Sequence, residues 1–158
     1  MLSTIHTVDS IEVITRFRKL GISSYDIGSV LATTIAQRLV RRICPNCARK
    51  RELNEMEIET FKRIGKRFNV EYDLSGVTTF EPVGCEHCNN TGFYGRIAAN
   101  EALSVTDDIK DLIIQDGSIT EIRKAAFEAG YRPLVTDALF KVIQGHTTIS
   151  EVKKKIGI

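Results

Sequence analysis

The sequence predicts an α+β fold, predominantly helical. Three observations carry that prediction. Apolar residues recur at helical spacing near both ends of the chain, short β-prone runs interrupt them, and two CxxC pairs bracket a stretch of different composition. A length of 158 residues suits one domain, or a core with a small insert, and 42% hydrophobic with 27% charged residues is the balance of a globular protein. No apolar run approaches the roughly 20 residues that cross a bilayer. The start, Met1 to His6, lacks the basic residues and apolar core of a secretory signal, so a cytoplasmic location is expected.

In chain order, Leu2-Ser3-Thr4-Ile5-His6-Thr7 predicts a short buried strand ending in polar residues. A chain that begins inside a strand predicts an excised piece of a larger protein. Asp9 or Ser10 is placed to cap a helix whose apolar face is Ile11, Val13, Ile14, Phe17 and Leu20, with Gly21 ending it. Ser23 or Ser24 starts a second helix, and the series Ile27, Val30, Leu31, Ile35, Leu39 and Val40 predicts that it runs to the first CxxC. Between the pairs, Asn54 caps a charged amphipathic helix carrying Met56, Ile58, Phe61 and Ile64. A loop with Asp73, Ser75 and Gly76 follows, then the β-prone Val77 to Phe80. After the second pair, Thr91 to Arg96 forms a turn into a strand at Ile97 to Leu103. The remainder is helical: Thr106 caps one helix, Ser118 or Thr120 another, and Pro133 starts a third with Asp137 early in it. Gly130, Gly145 and Gly157 punctuate them.

The four cysteines stand as Cys44-Pro45-Asn46-Cys47 and Cys85-Glu86-His87-Cys88, with 37 residues between the pairs. In each pair two thiolates converge from one tight turn, and two such knuckles complete a tetrahedral zinc site. Pro45 and Asn46 suit the first turn, and Gly84 and Asn89 flank the second. The alternatives are two disulfides or a thioredoxin-like redox pair. No secretory signal supports the first, and no βαβ pattern surrounds either pair to support the second. Cys44, Cys47, Cys85 and Cys88 leave no ligand position open, so the ion is structural. The 44–88 segment then reads as an insert clamped at its ends, with little core of its own. His87 lies inside a CxxC and is not needed as a ligand, and His146 is expected in a solvent-facing turn. Arg38, Arg41, Arg42, Arg49, Lys50 and Arg51 crowd the first knuckle. They fit either a nucleic-acid patch or a solvated face that offsets thiolate charge, and sparse aromatics favour the second.

Several motifs in one order carry a family resemblance. They are Leu2 to Thr7, Thr15-Arg16-Phe17-Arg18, Ala36-Gln37-Arg38-Leu39-Val40-Arg41, the CxxC pairs, Thr91-Gly92-Phe93-Tyr94-Gly95-Arg96, and the run from Asp137 through Gly145-His146-Thr147-Thr148 to Glu151-Val152. Together they resemble the C-terminal region of the hexameric ATPases of type II secretion and type IV pilus assembly. The stretch Ile97 to Leu103 is less hydrophobic than the family's usual Glu-x-Leu approach, which leaves the particular system open.

The resemblance implies the C-terminal part of a RecA-like core over 1–43, a tetracysteine insert over 44–88, and a strand with a helical subdomain over 89–158. His6 would then sense nucleotide, and Arg16 and Arg96 would lie near its phosphates. ATP and Mg2+ would belong to the parent, whose phosphate loop and Walker B acid would precede this chain; the chain itself contains no GxxxxGK[ST]. The implied partners are the N-terminal part of the same protein, five further copies in a hexamer, and an inner-membrane platform protein. Nucleic acid is not expected, and the fragment alone would be inactive. The competing reading is a zinc-ribbon nucleic-acid-binding module.

Overall fold

The structure is a computed structural model and describes residues 2–158. Among them it is a mixed α/β chain with seven α-helices and two two-stranded sheets. Residues 2–7 form no strand. Leu2, Ser3, Thr4 and His6 are exposed, because no other strand pairs with their backbone. Helix α1 spans Glu12–Lys19. Its first turn is capped by Asp9, whose Oδ1 accepts from the N–H groups of Ile11 and Glu12 at 3.0 and 2.8 Å. Its apolar face ends earlier than expected, with Leu20 59% exposed.

The second helix is also shorter than its periodicity predicts. Helix α2 covers Ser24–Val30, capped by Ser23, and the chain then turns extended at Leu31 and becomes strand β1, Thr33–Ile43. Thr34 and Val40 are buried while Ile35 and Leu39 are exposed, a period-two pattern that helical spacing had masked. β-Branched Thr33, Thr34 and Ile35 favour the strand, and pairing with β4, Phe93–Ser104, secures it. β4 begins at Phe93, four residues ahead of the expected start.

Strand β2, Ala48–Glu52, was hidden in a run of charges. It pairs antiparallel with β3, Thr78–Pro82, in a register running from Ala48 opposite Pro82 to Glu52 opposite Thr78. Between them lies α3, Glu55–Phe68, with the expected Asn54 cap. Helices α4 (Asp107–Ile114), α5 (Ile119–Glu128), α6 (Leu134–Ile143) and α7 (Ile149–Ile156) complete the chain. Thr106 stands at the α4 cap without a side-chain capping bond. Ser118 caps α5 in a reciprocal pair with Glu121, and Thr148 caps α7, a helix that the sequence reading had not separated.

The chain divides into two compact units. The first comprises the residues up to Ala36 together with Glu101–Arg132. Its core holds Ile11, Ile14, Ile27, Leu103, Ile109, Ile113 and Ile122. α2 and α4 meet closely at Gly28, where a Cβ would lie 2.6 Å from Ile114 Cγ1. Arg18 closes the far end of α4, donating to the carbonyls of Gly117 and Ile113 at 2.9 and 3.2 Å.

The second unit comprises Gln37–Asn100 and Pro133–Ile158. Phe61 and Ile64 of α3 share its core with Leu134, Leu139, Val142 and Val152 of α6 and α7. The segment between the knuckles is therefore not held by its ends alone, as expected from its size, because one helix face is buried against the C-terminal helices. Phe80 of β3 closes the contact, pressing its ring to within 2.5 Å of where a Gly145 Cβ would stand.

Candidate metal centre

Each knuckle is built by backbone hydrogen bonds before any side chain takes part. At the end of β1, Cys44 N–H donates to the Gly92 carbonyl at 3.0 Å. The Cys44 carbonyl accepts from Ala48 N–H at 3.1 Å, which folds Cys47 back over Cys44. In the second knuckle the Cys85 carbonyl accepts from Cys88 and Asn90 at 3.1 and 2.9 Å. A single 3-10 turn at Glu86–Cys88 leads there into Asn89 and Asn90, both left-handed, a conformation that asparagine tolerates.

The β2–β3 register brings the knuckles together. Ala48, directly after Cys47, faces Pro82, which stands three residues before Cys85. The 37 intervening residues thus begin and end at adjacent places on a ladder. Gly92 locks the arrangement: its φ is +72°, and a Cβ there would lie 2.5 Å from Pro82 Cβ.

All four Sγ atoms lie within 4.8 Å of one another. Cys44–Cys85, Cys47–Cys88 and Cys85–Cys88 are 3.9, 3.8 and 3.8 Å apart. A regular tetrahedron with Zn–S bonds of about 2.3 Å has edges of about 3.8 Å. The spacing fits one thiolate-bound ion and excludes S–S bonds of about 2.05 Å. Backbone donors support the sulfurs unequally. Cys88 Sγ accepts from Cys85 and Gly92 N–H, both at 3.2 Å, and Cys47 Sγ from Gly84 N–H at 3.3 Å. Burial alone would raise the Cys88 thiol, but these two N–H groups and the neighbouring thiols take it down to about 6. Burial takes Cys47 up to about 12 against the single Gly84 donor. Among the described residues the cluster holds four soft donors and no fifth ligand group, a set that suits a closed site.

Two of the six surrounding cations are engaged by carboxylates. Arg41 donates through Nε and Nη2 to Glu151 Oε2 at 2.9 and 2.7 Å, and its guanidinium lies 3.9 Å from the Phe93 ring centroid. Arg51 grips Glu57 with two bonds of 2.7 and 2.6 Å, holding that carboxyl below its ordinary range. Arg38, Arg42, Arg49 and Lys50 are exposed. His87 is an exposed ring 4.2 Å from the Tyr94 centroid. His146 is half-buried rather than solvent-facing, because its carbonyl accepts from Ile43 N–H at 2.9 Å.

His6 and Arg16 are exposed in the first unit and Arg96 is exposed in the second. Among the described residues none of the three forms a side-chain ion pair; Arg96 is not joined to Glu101, whose Oε1 accepts from Ser10 N–H at 2.7 Å. Arg96 borders an open cleft of about 440 Å³ with Arg41, Thr91, Phe93 and Lys155. Glu57 drew no notice in the sequence, and Glu151 appears there only as the end of the C-terminal motif run, without its ion-pair role. The Asn54-x-x-Glu57 capping pattern could have revealed the first. Thr148-x-x-Glu151 has the same capping spacing, but nothing local marks the ion pair of Glu151, whose partner is 110 residues away.

The chain is similar to known proteins over nearly all its length. The profile of the family described as type II/IV secretion system protein matches residues 1–154. The type IV pilus assembly ATPase PilB of Thermus thermophilus is 38% identical over 152 residues, covering 96% of this chain and 16% of that protein. PilB of Acinetobacter baylyi is 34% identical, covering 98% and 26%, and the putative type II secretion system protein E of Escherichia coli is 34% identical, covering 98% and 29%. The chain thus spans less than a third of the length of these relatives.

Proposed function

The chain belongs to the type II/IV secretion system protein family, and on that basis we propose that it is the zinc-bearing C-terminal region of an ATPase that powers secretion or pilus assembly. The family match carries this reading, and the four-sulfur cluster set between the matching motifs supports it. Residues 1–43 are assigned to the last part of a RecA-like core, 44–88 to the zinc insert, and 89–158 to a strand and helical subdomain. Cys44, Cys47, Cys85 and Cys88 hold Zn2+, which has no open position for substrate and serves the fold.

His6 is assigned to sensing nucleotide, and Arg16 and Arg96 to neutralising its phosphates. Their exposure and freedom from ion pairs suit groups that complete a pocket formed with other parts of a longer protein. ATP and Mg2+ would be held by that longer protein, working as a hexamer at the cytoplasmic face of the inner membrane through a platform protein. No helix among the described residues is long and apolar enough to cross a membrane, in keeping with attachment through a partner.

The test is ATP hydrolysis by this chain and by the chain extended with its upstream coding sequence. Hydrolysis is expected only from the extended protein, and should fall in its Arg96→Ala variant. Turnover by the 158-residue chain alone would overturn the reading. The nucleic-acid alternative predicts binding that weakens steeply as salt rises. The commitment of Arg41 and Arg51 to carboxylates argues against it, and a low-salt gel shift decides it.

A further inference from the structure

The four sulfurs are alike in sequence and unlike in surroundings. Cys44 and Cys88 are buried, at 0% and 4% exposure, whereas Cys47 and Cys85 are half-exposed. Cys88 receives two backbone N–H bonds and Cys47 one; among the described residues no N–H donates to Cys44 or Cys85. A hydrogen bond to a thiolate withdraws charge from sulfur and lowers its nucleophilicity, and burial denies access to a reagent. Cys85 alone escapes both protections. Two sulfurs lie beside it: Cys88 at 3.8 Å, which accepts two N–H bonds, and Cys44 at 3.9 Å, which is buried but accepts none.

We propose that Cys85 is the oxidant-reactive corner of the cluster, where a peroxide opens the site and expels the metal by linking Cys85 to Cys44. The Cys85 thiolate attacks the O–O bond of hydrogen peroxide. An S–O bond forms, hydroxide leaves, and sulfur is oxidised to a sulfenic acid. The Cys44 thiolate then attacks that sulfur, the S–S bond forms, the S–O bond breaks and a second hydroxide leaves. Two thiolates have given two electrons to one peroxide. Only Cys47 and Cys88 would then remain to hold a bound ion, too few to retain it. The new bond joins the two knuckles, so the insert stays tethered after the metal has gone, and a dithiol reductant restores the four thiolates. The inference rests on the zinc reading and is independent of the motor reading.

The experiment uses the purified 158-residue chain without substitution. Zinc content is measured first. A brief pulse of N-ethylmaleimide is then quenched and mapped by peptide mass spectrometry, and a parallel sample receives hydrogen peroxide with zinc release followed by a chelating dye. Cys85 is expected to be labelled several-fold faster than Cys47, with Cys44 and Cys88 slowest. A Cys44–Cys85 disulfide is expected to accumulate in step with zinc release. Equal labelling of Cys47 and Cys85, or a disulfide involving Cys47 or Cys88 as the first product, would overturn the proposal. If the chain carries no zinc, the zinc reading fails and this inference with it; if it carries zinc and the labelling order or the first disulfide differs, the inference alone fails.

Discussion

Glu151 is a carboxylate at the N-terminal end of α7 with no side-chain exposure, and three bonds from Arg41 keep it ionised. Burial alone would raise its pKa, but the guanidinium and backbone N–H of Arg41 outweigh burial and hold it below the ordinary value. A depressed carboxyl stabilises the fold above its unfolded pKa of about 4.3, and that contribution disappears as pH falls through the lower folded value. Glu151→Gln removes the charge and leaves Arg41 stacked on Phe93 without its counter-ion. A loss of about 2 kcal/mol at pH 7 is expected in urea unfolding, moderated by the partial exposure of Arg41. The difference should shrink as pH falls below the unfolded value and through the lower folded one, where the wild-type carboxyl takes up its proton; an undiminished difference would refute the ionic account. The Thr148-x-x-Glu151 pattern marks a helix start, but the burial and the ion pair are invisible to local reading because Arg41 lies 110 residues away.

At the scale of elements, α3 shows how much a local pattern can specify. Asn54 and Glu57 form a complete capping box, with Glu57 N–H donating to Asn54 Oδ1 at 2.9 Å and Asn54 N–H to Glu57 Oε2 at 3.0 Å. Asn54→Ala should cost about 1 kcal/mol in thermal unfolding without changing the metal content. Gly92→Ala belongs to the opposite class. It forces a side chain into left-handed backbone and against Pro82, at the residue whose N–H supports Cys88. Zinc affinity is expected to fall at least 10-fold, the usual scale for a disturbed supporting shell, as measured by competition with a chelating dye. Unchanged affinity would mean that the Gly92 donor does not matter to the ion.

For the whole molecule, the two cores set what metal removal can do. The first unit's core draws only on residues up to Phe17 and Leu31 and on 103–131, and contains no cysteine. Chelation should therefore leave amide protection in α1, α2, α4 and α5 intact by hydrogen exchange, while the knuckles and the β2–β3 ladder lose theirs. Because Phe61 and Ile64 are packed under α6 and α7, α3 should retain part of its protection even without the ion. Complete loss of α3 on chelation would show that the zinc, and not this core, holds the segment.

The cysteine pairs, the Asn54 helix, the Ser118 cap and the helical C-terminal part were legible because each is specified by residues within a few positions of one another. Periodicity also misled. Ile27, Val30, Leu31, Ile35 and Leu39 satisfy helical spacing, yet the chain leaves the helix at Leu31, because the strand formed from Thr33 onward gains a ladder with β4 that no local window contains. β2 is five residues, three of them cationic, and becomes a strand only because β3 lies opposite it. The sequence by itself marked the four cysteines as one candidate metal-ligand set and carried the motifs that place the chain in its family. The tertiary structure alone decided which sulfurs are shielded by N–H groups and burial, which cations are spent on Glu57 and Glu151, and what the segment between the knuckles rests on. Ligand identity is a property of single residues, whereas protection, pairing and packing are supplied by partners tens of residues away.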